Sequence, residues 1–208
     1  MRKLILFLGL VLPAITAISQ DKEDGSALFI RVGAGYGVRL AQIPPQLDAA
    51  GQKHYKNLRN GMNTNLQIGY RFNQKTAISV IYTRFGSKAE GTSNNVALES
   101  KEGLSMVSLA VQNFLPISDK HDVNFITRVG PGLIFYNGQE TYKTNPQRFV
   151  DAYETRLGLF TGIGVDLKIS KSVRFEMTLD KTWGRITENK VKTNAEVLAL
   201  GAGLRFEL

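Results

Sequence analysis

Apolar and polar residues alternate with a period of two along most of the chain beyond residue 26. The segment 153–169 shows this most clearly, because its odd positions are aliphatic, Tyr or Thr and its even positions are mostly charged residues or Gly. Successive side chains of a strand point to opposite faces of a sheet. The pattern therefore predicts a β-strand with one apolar face and one polar or small face.

The same alternation predicts eight strands in all. They lie at 28–40, 65–72, 76–85, 104–115, 123–136, 153–169, 173–183 and about 196–208. Apolar residues occupy both faces of the third and fourth strands, so the pattern does not decide which of their faces points inward.

The segments between these strands alternate in length. The long ones are 41–62, 86–103 and 137–150, the short ones are 73–75, 116–122 and 170–172, and 184–195 is intermediate. In an even-stranded meander this alternation places the long loops at one end of a barrel and the tight turns at the other, as in outer-membrane barrels. Both chain ends then lie on the periplasmic side, with the tight turns.

The first residues have the layout of a secretory signal peptide. Arg2 and Lys3 precede an apolar run over 4–12, and small residues follow it. This run is about half of the roughly 20 apolar residues that a membrane-spanning helix needs. We therefore predict a signal peptide over 1–19 and one mature domain over 20–208.

Composition narrows the range of partners. The chain has 26 Lys and Arg against 18 Asp and Glu, a net charge of +8. An exported chain meets no nucleic acid, so this charge favours anionic lipid headgroups or glycans as partners. The chain has no cysteine. An exported domain of this kind must be stable without disulfides, which a closed hydrogen-bonded sheet permits.

Two kinds of barrel fit the periodicity. A soluble lipocalin-like barrel buries its apolar face, whereas an outer-membrane barrel turns that face to lipid. Here the polar faces combine Arg and Glu with nine glycines, which inside a narrow barrel leave room for long Arg side chains. The apolar faces are bulky and carry aromatic residues towards their ends, as interfacial girdles do.

We therefore predict an all-β fold: an eight-stranded antiparallel up-and-down transmembrane β-barrel with long extracellular loops and short periplasmic turns. The expected location is the cell outer membrane, and the expected state is a monomer in contact with outer-membrane lipid, including lipopolysaccharide.

Three stretches carry a resemblance that covers nearly the whole mature chain. They are VGPGLIFY at 129–136, GLFTGIGVDLKIS at 158–170 with RFEMTLDKTWG at 174–184, and GAGLRFEL at 201–208. With them the chain resembles small outer-membrane β-barrel proteins of the porin-like or PorT-like type, close in size to the OmpX and OmpA barrels. The last stretch looks like the signal that the barrel-assembly machinery reads, with Gly203, Phe206 and Leu208 at its characteristic positions. The PorT-like resemblance also permits an accessory role in a secretion system.

Charged residues on the polar faces are predicted to form an interior network. They are Arg31, Arg71, Arg128, Glu154, Arg156, Asp166, Lys168, Arg174, Glu176, Asp180, Arg205 and Glu207. Such residues line a pore or close it with salt bridges. An eight-stranded barrel is just wide enough for side chains to fill, which favours the salt-bridged plug.

Three basic residues near the predicted extracellular boundary are candidate contacts for lipid phosphates. They are Arg84, Lys88 and Lys181. One hypothesis is that they seat lipopolysaccharide phosphates. The alternative is ordinary snorkelling, in which a long side chain reaches the interface without binding a specific lipid.

Catalytic and metal-binding patterns are missing from the sequence. The two histidines, His54 in the first long loop and His121 in a tight turn, are expected at opposite ends of the barrel, where neither joins a Ser and an acid. No Cys or His cluster has metal-ligand spacing, and the Gly-x-Gly-x-Gly run at 33–37 lies within a strand. We therefore expect no enzyme activity, metal or cofactor.

The loops are where function is expected. The first contains a basic stretch at 52–59 with His54 and Tyr55, which either grips an acidic glycan or partner protein or is simply solvated. The leading hypothesis is a barrel that binds a partner or shields the surface through its loops. Its alternatives are a narrow pore, an accessory barrel of a secretion system and a soluble lipocalin-like binder.

Overall fold

The computed structural model describes residues 27–43, 47–93, 96–118, 122–142, 148–188 and 191–208. Within these ranges the chain forms one helix and nine strands. They are β1 (Ala27–Arg39), α1 (Ala49–Leu58), β2 (Asn60–Arg71), β3 (Thr76–Ser93), β4 (Val96–Pro116), β5 (Val123–Tyr142), β6 (Arg148–Lys168), β7 (Val173–Glu188), β8 (Val191–Asn194) and β9 (Val197–Glu207). The predicted signal peptide lies outside the described residues. None of the helical structure in these ranges is long and apolar enough to cross a membrane.

Eight of the strands close into an antiparallel barrel. Strands β1 to β7 pair in chain order, and β9 completes the ring by pairing with both β7 and β1. Strand β8 pairs only with the last residues of β7. The predicted eight-stranded antiparallel barrel is confirmed.

The strands are staggered around the ring. The stagger can be measured by following the ladder from Leu28 to its partner on the next strand, and so on around the ring. The path returns to β1 at Val38, ten residues after Leu28. These partners are Tyr70, Ile78, Val111, Val129, Thr161, Lys181 and Leu198. The stagger tilts the strands against the barrel axis and lets the sheet close without leaving an edge in the wall.

The apolar face of the barrel is the outer one. Large apolar side chains such as Val32, Leu109 and Leu200 are 54 to 60% exposed, whereas Arg31 and Arg205 point inward and are at most 1% exposed. A soluble barrel would show the reverse arrangement. The lipocalin-like alternative is therefore wrong.

The structure also decides the facing of the third and fourth predicted strands. In β3, Ile81 and Phe85 point inward while Val80 and Tyr82 point outward. In β4 the same alternation turns Met106 inward. Both faces of these strands look apolar in sequence because one part of the barrel interior is itself an apolar cluster. This cluster contains Ile81, Phe85, Leu104, Met106, Ala110, Ile134, Tyr136, Phe160, Ile186, Ala195, Val197 and Ala199.

Several strands extend further than predicted. The predicted loop at 86–103 is mostly strand, because β3 continues to Ser93 and β4 begins at Val96, and the predicted loop at 137–150 is likewise occupied by β5 and β6. In these extensions the inward positions hold apolar and polar residues alike, such as Leu98 and Ser100. The alternation of apolar and polar residues is therefore weak in the sequence, although the hydrogen-bonded ladder continues.

The first predicted long loop contains the helix. The Asp48 side chain caps α1 by accepting a hydrogen bond from the Gly51 backbone N–H at 2.7 Å. At the opposite end of the barrel the turns are short. In two of them the strands are joined by backbone hydrogen bonds of 2.9 Å, from Phe72 to Thr76 and from Ile169 to Val173. We refer to the two ends as the mouth, where α1 lies, and the turn end.

Candidate functional site

A single carboxylate lies at the centre of the barrel interior. Glu176 is fully buried and forms ion pairs with three guanidinium groups. Its Oε2 atom lies 2.6 Å from Arg31 Nε and also pairs with Arg128, and its Oε1 atom lies 2.8 Å from Arg205 Nη1. These four residues come from β1, β5, β7 and β9, so the cluster joins opposite parts of the wall.

A second buried carboxylate extends this cluster towards the turn end. Asp166 accepts hydrogen bonds from Arg174 Nε and Nη2, both at 2.8 Å, which is the bidentate geometry that makes such pairs strong. It also accepts one from Asn124 at 2.8 Å and pairs with Arg205. Arg205 therefore bridges the two carboxylates, and the charges form one network.

Glycine provides the space that this network needs. A Cβ atom on Gly33 would lie 2.9 Å from Asn65 Oδ1 and 3.2 Å from Arg31 Nη1. Contacts that close require the neighbouring groups to shift. The long Arg31 side chain can lie across the barrel because Gly33 has no side chain there.

Not every predicted member of the network is buried. The side chains of Arg156 and Lys168 are 51% and 42% exposed, and they pair with Glu154 and Asp122 at 3.1 and 3.6 Å. The prediction that they join the interior cluster is wrong. The reason is that β6 runs past the barrel at the mouth, where its ladder with β7 begins only at Gly158, and Lys168 ends the strand at the turn end.

The remaining predicted charges lie at the borders of the cluster. Arg71 and Glu207 pair at 2.6 Å near the turn end. Asp180 is buried, accepts a hydrogen bond from Thr178 Oγ1 at 3.0 Å, and lies 3.8 Å from Arg128. These groups complete the network on either side of Glu176.

Neutral amides also belong to the interior, beside the charged residues that were predicted there. Gln67 Nε2 donates to Gln112 Oε1 at 2.6 Å and to Ser79 Oγ at 3.0 Å, and all three side chains are at most 3% exposed. An uncharged amide gives no signal of burial in a sequence. The one available signal is its position, because Gln67 lies two residues from Asn65 and therefore on the same inward face of the strand.

Helix α1 lies across the mouth of the barrel, against the inward faces of the strand extensions. His54 is 2% exposed, and a hydrogen bond of 2.9 Å joins its Nε2 atom to Ser100 Oγ on β4. Tyr55 OH donates to Glu140 Oε1 on β5 at 2.8 Å. Leu58 is buried as well. Three residues of one helix face therefore hold α1 in place.

His54 does contact a serine, Ser100, and this pairing was not predicted. The pair is nevertheless unsuited to nucleophilic catalysis, because both side chains are buried and no acidic side chain of the described residues hydrogen-bonds the ring. The described residues also contain no group of three His, Cys, Asp or Glu able to hold a metal ion. His121 lies outside the described residues.

The opposite face of α1 is basic. Lys53 and Lys56, three residues apart and thus on one side of the helix, are both exposed. No carboxylate among the residues described here forms an ion pair with either. The aromatic ring of Tyr55 is only partly exposed, and its hydroxyl group anchors the helix.

The three candidate lipid contacts do not come together. Arg84 and Lys88 lie on the outer face of β3, whereas Lys181 lies on β7, separated from β3 by β9, β1 and β2. The Lys181 ammonium pairs with Glu196 at 3.2 Å and lies 3.2 Å from the centre of the Trp183 ring. The three residues therefore do not form one site, and the contact of each with lipid phosphates stays a prediction.

A different lysine accompanies Lys88. Lys101 is its ladder partner on β4, and the Glu99 carboxylate lies 3.2 Å from Lys88 Nζ and 2.9 Å from Lys101 Nζ. Hydrogen bonds to Glu90 and Glu99 raise the pKa of Lys88, and hydrogen bonds from Lys101 and Lys88 lower the pKa of Glu99. These groups form an exposed charged cluster beside Arg84.

The predicted assembly signal lies at the end of β9. Gly203 is the ladder partner of Gly33 at the seam where the barrel closes. Phe206 and Leu208 are 39% and 38% exposed, and Phe206 points towards the lipid. Recognition of these residues by the assembly machinery stays a prediction.

Comparison with known proteins supports the barrel. Residues 29–208 match the family described as OmpA-like transmembrane domain. No match was found among curated proteins.

Solved structures give the same fold at low sequence identity. The neisserial surface protein A (NspA) is 15% identical with a TM-score of 0.57, over 89% of this chain and 100% of that one. OprG from Pseudomonas aeruginosa is 12% identical with a TM-score of 0.56, over 90% and 100%. A major outer-membrane protein from Thermus thermophilus is 11% identical with a TM-score of 0.56, over 88% and 100%. The protein is thus an outer-membrane β-barrel, and the chain belongs to the family of OmpA-like transmembrane domains.

Proposed function

We propose that this barrel is a non-enzymatic surface protein that binds an anionic partner through helix α1. In outer-membrane barrels the short turns are periplasmic, so the mouth faces the outside of the cell. The observation that carries the proposal is the anchoring of α1. His54, Tyr55 and Leu58 fix one face of the helix inside the mouth, and this fixes Lys53 and Lys56 on the face that meets the surroundings.

The anchoring of α1 favours binding because it reduces the conformational entropy that the helix loses when a partner binds. A flexible loop loses conformational entropy when it binds a partner, whereas a helix already held in place loses little. The two lysines lie on one side of this fixed helix without an ion-pair partner among the described residues. They suit carboxylate or sulfate groups of a glycan, or an acidic protein surface, and attraction of this kind weakens as salt increases.

Binding of dextran sulfate, a soluble polyanion, to the barrel in phosphatidylcholine nanodiscs tests the proposal. We expect binding that weakens with salt, and a loss of roughly tenfold in affinity for the double variant K53Q/K56Q. The control is K75Q/K171Q, which removes the same charge from two exposed lysines at the turn end. Equal binding by both double variants would refute the role of α1.

The alternative functions have separate tests. Buried side chains of the Glu176 cluster fill the barrel cross-section, which argues for a plug and predicts no step conductance in planar bilayers. Steady single-channel steps would favour the narrow pore instead. The PorT-like resemblance remains a sequence-based prediction, and cross-linking to periplasmic components of a secretion system would favour that accessory role.

A further inference from the structure

We infer that the outer wall of the barrel carries a binding site for a phosphorylated lipid headgroup, formed by Arg84, Lys88 and Lys101 around a groove at Gly86. This site lies on strands β3 and β4, on the outer surface of the barrel. It does not depend on the proposed role of α1 and is tested with different variants.

Arg84 is a positive charge at the border of the lipid-facing surface. Its side chain is exposed on the lipid-facing side of β3, two residues beyond Tyr82, where the outward residues change from apolar to charged. None of the carboxylates in the described ranges lies within ion-pairing distance of its guanidinium. A positive charge at the border of the hydrocarbon region needs an anion, and the abundant anions at that depth are lipid phosphates, which a guanidinium binds with two parallel hydrogen bonds.

Two lysines add positive charge beside Arg84. Lys88 and Lys101 lie further out on the same face, side by side in the ladder. Glu99 and Glu90 hold them in position, with Lys88 Nζ 3.2 Å from a carboxylate oxygen of each. Together with Arg84, three positive charges face the two carboxylates of Glu90 and Glu99. The Glu102 carboxylate also lines the groove, but it is paired with Arg39. The cluster therefore keeps a net positive charge, which a phosphate compensates.

A groove at Gly86 lies beside these basic residues. Gly86 and Gly103 are ladder partners between Arg84 and the lysines, and a Cβ atom placed on Gly86 would meet no other atom within 4 Å. The groove here has a volume of about 590 Å³. Tyr36 and Met62, which are 54% and 63% exposed, form its apolar border. Lys88 and Lys101 line the groove, and Arg84 lies next to it on the outer face, one outward position from Gly86. An opening with an apolar border and basic residues beside it suits a headgroup attached to acyl chains.

Lys181 shows what ordinary snorkelling looks like in the same barrel. Its ammonium is paired with Glu196 and lies over Trp183, so its charge is satisfied by the protein itself. There is no comparable partner for Arg84 within the described ranges. This contrast favours a lipid ligand at Arg84 and ordinary interfacial placement at Lys181.

Native mass spectrometry of the detergent-solubilised barrel, with added bis-phosphorylated lipid A as the probe, tests the inference. We expect the wild type to retain one lipid A molecule, and the variants R84Q and K88Q/K101Q to retain roughly tenfold less, as expected for the loss of a charge-assisted hydrogen bond. Substitution of Gly86→Trp fills the groove without changing the charge and should also reduce retention. Dephosphorylated lipid A should be retained poorly by every form.

The controls match each change. R156Q/R185Q removes two exposed charges from the same end of the barrel outside the groove, and Leu109→Trp adds a bulky ring on the outer face elsewhere. Both should retain lipid A like the wild type, and a heat-dependent shift in gel mobility shows that each variant is folded. The inference is overturned if R84Q and K88Q/K101Q retain as much lipid A as the wild type. It is also overturned if R156Q/R185Q loses as much, or if removal of the phosphates changes nothing.

Discussion

The Nε2 atom of His54 lies 2.9 Å from the hydroxyl oxygen of Ser100, and both side chains are buried in the mouth of the barrel. The two residues are far apart in sequence, one on helix α1 and the other on the outer part of strand β4. This contact is one of the links that convert a loop into a fixed helix across the mouth.

Removal of the imidazole should release α1 without unfolding the barrel. His54→Ala loses a buried hydrogen bond and leaves a cavity, a local cost of about 1–3 kcal/mol. We expect trypsin to cleave after Lys53 and Lys56 at least several times faster than in the wild type, with an unchanged heat-dependent gel shift. Asn57→Ala, on the exposed side of the helix, is the control. Cleavage at the wild-type rate in His54→Ala would show that this contact does not hold the helix.

The interior network should depend strongly on Glu176. In Glu176→Gln, the charges of Arg31, Arg128 and Arg205 lose their shared counter-ion in a buried position, and breaking a buried ion pair in this way costs about 3–5 kcal/mol. Urea unfolding in lipid vesicles, followed by gel mobility, measures the free energy of unfolding. Glu90→Gln, at an exposed ion pair, should change it by less than about 1 kcal/mol. A small loss in Glu176→Gln would contradict the central role of this carboxylate.

Two glycines of the wall should respond differently to the same substitution. A methyl group on Gly130 would overlap the carbonyl oxygen of Leu109 and lie 2.6 Å from the Cα atom of Ala110, both backbone atoms that cannot move aside. We expect Gly130→Ala to lower the free energy of unfolding by about 1–3 kcal/mol. Gly86→Ala, where nothing lies within 4 Å, should leave it nearly unchanged. Equal effects of the two substitutions would show that strand spacing adapts more freely than this structure implies.

The charged cluster on the extension of β3 and β4 should be sensitive to acid. Lys101 and Lys88 hold the pKa of Glu99 below its ordinary value of 4.5. A carboxylate whose pKa is lowered by folding adds stability above its unfolded pKa, and that stability is lost as the pH falls through the lowered value. The extension should therefore loosen only below the ordinary titration range of Glu.

A carbon-13 NMR titration of the Glu99 carboxyl group measures this effect. The midpoint should lie below 4.5 in the wild type and rise in Lys101→Gln, because the first of its two hydrogen-bond donors is removed. High salt should bring the two midpoints closer together, since both groups are exposed. An unchanged midpoint in Lys101→Gln would mean that this ion pair does not persist in solution.

Much of the barrel wall was predictable because strand periodicity is local. The odd and even positions around Arg31 and Asp166 differ so consistently that the two faces followed from the sequence. The glycines of the polar face and the aromatic residues of the apolar one then indicated that the apolar face points outward. Strands β3 and β4 were harder to interpret, because residues such as Ile81 and Met106 belong to an apolar cluster inside the barrel. There the sequence presents apolar residues on both faces, and only the packing distinguishes them.

The sequence by itself determined the number of barrel strands, the lipid-facing surface and the types of residue inside, since each depends on neighbours only two positions apart. Only the tertiary structure decided which of these residues meet. The ion pair of Arg205 with Asp166 and the contact of His54 with Ser100 join distant segments. Their formation depends on a ten-residue stagger around the closed ring and on how far the strands continue beyond the membrane. The period-two pattern excludes a register shift of one residue, which would move every side chain to the other face, but a shift of two residues keeps each side chain on its face. The closed ring therefore selects among registers that the pattern alone does not distinguish.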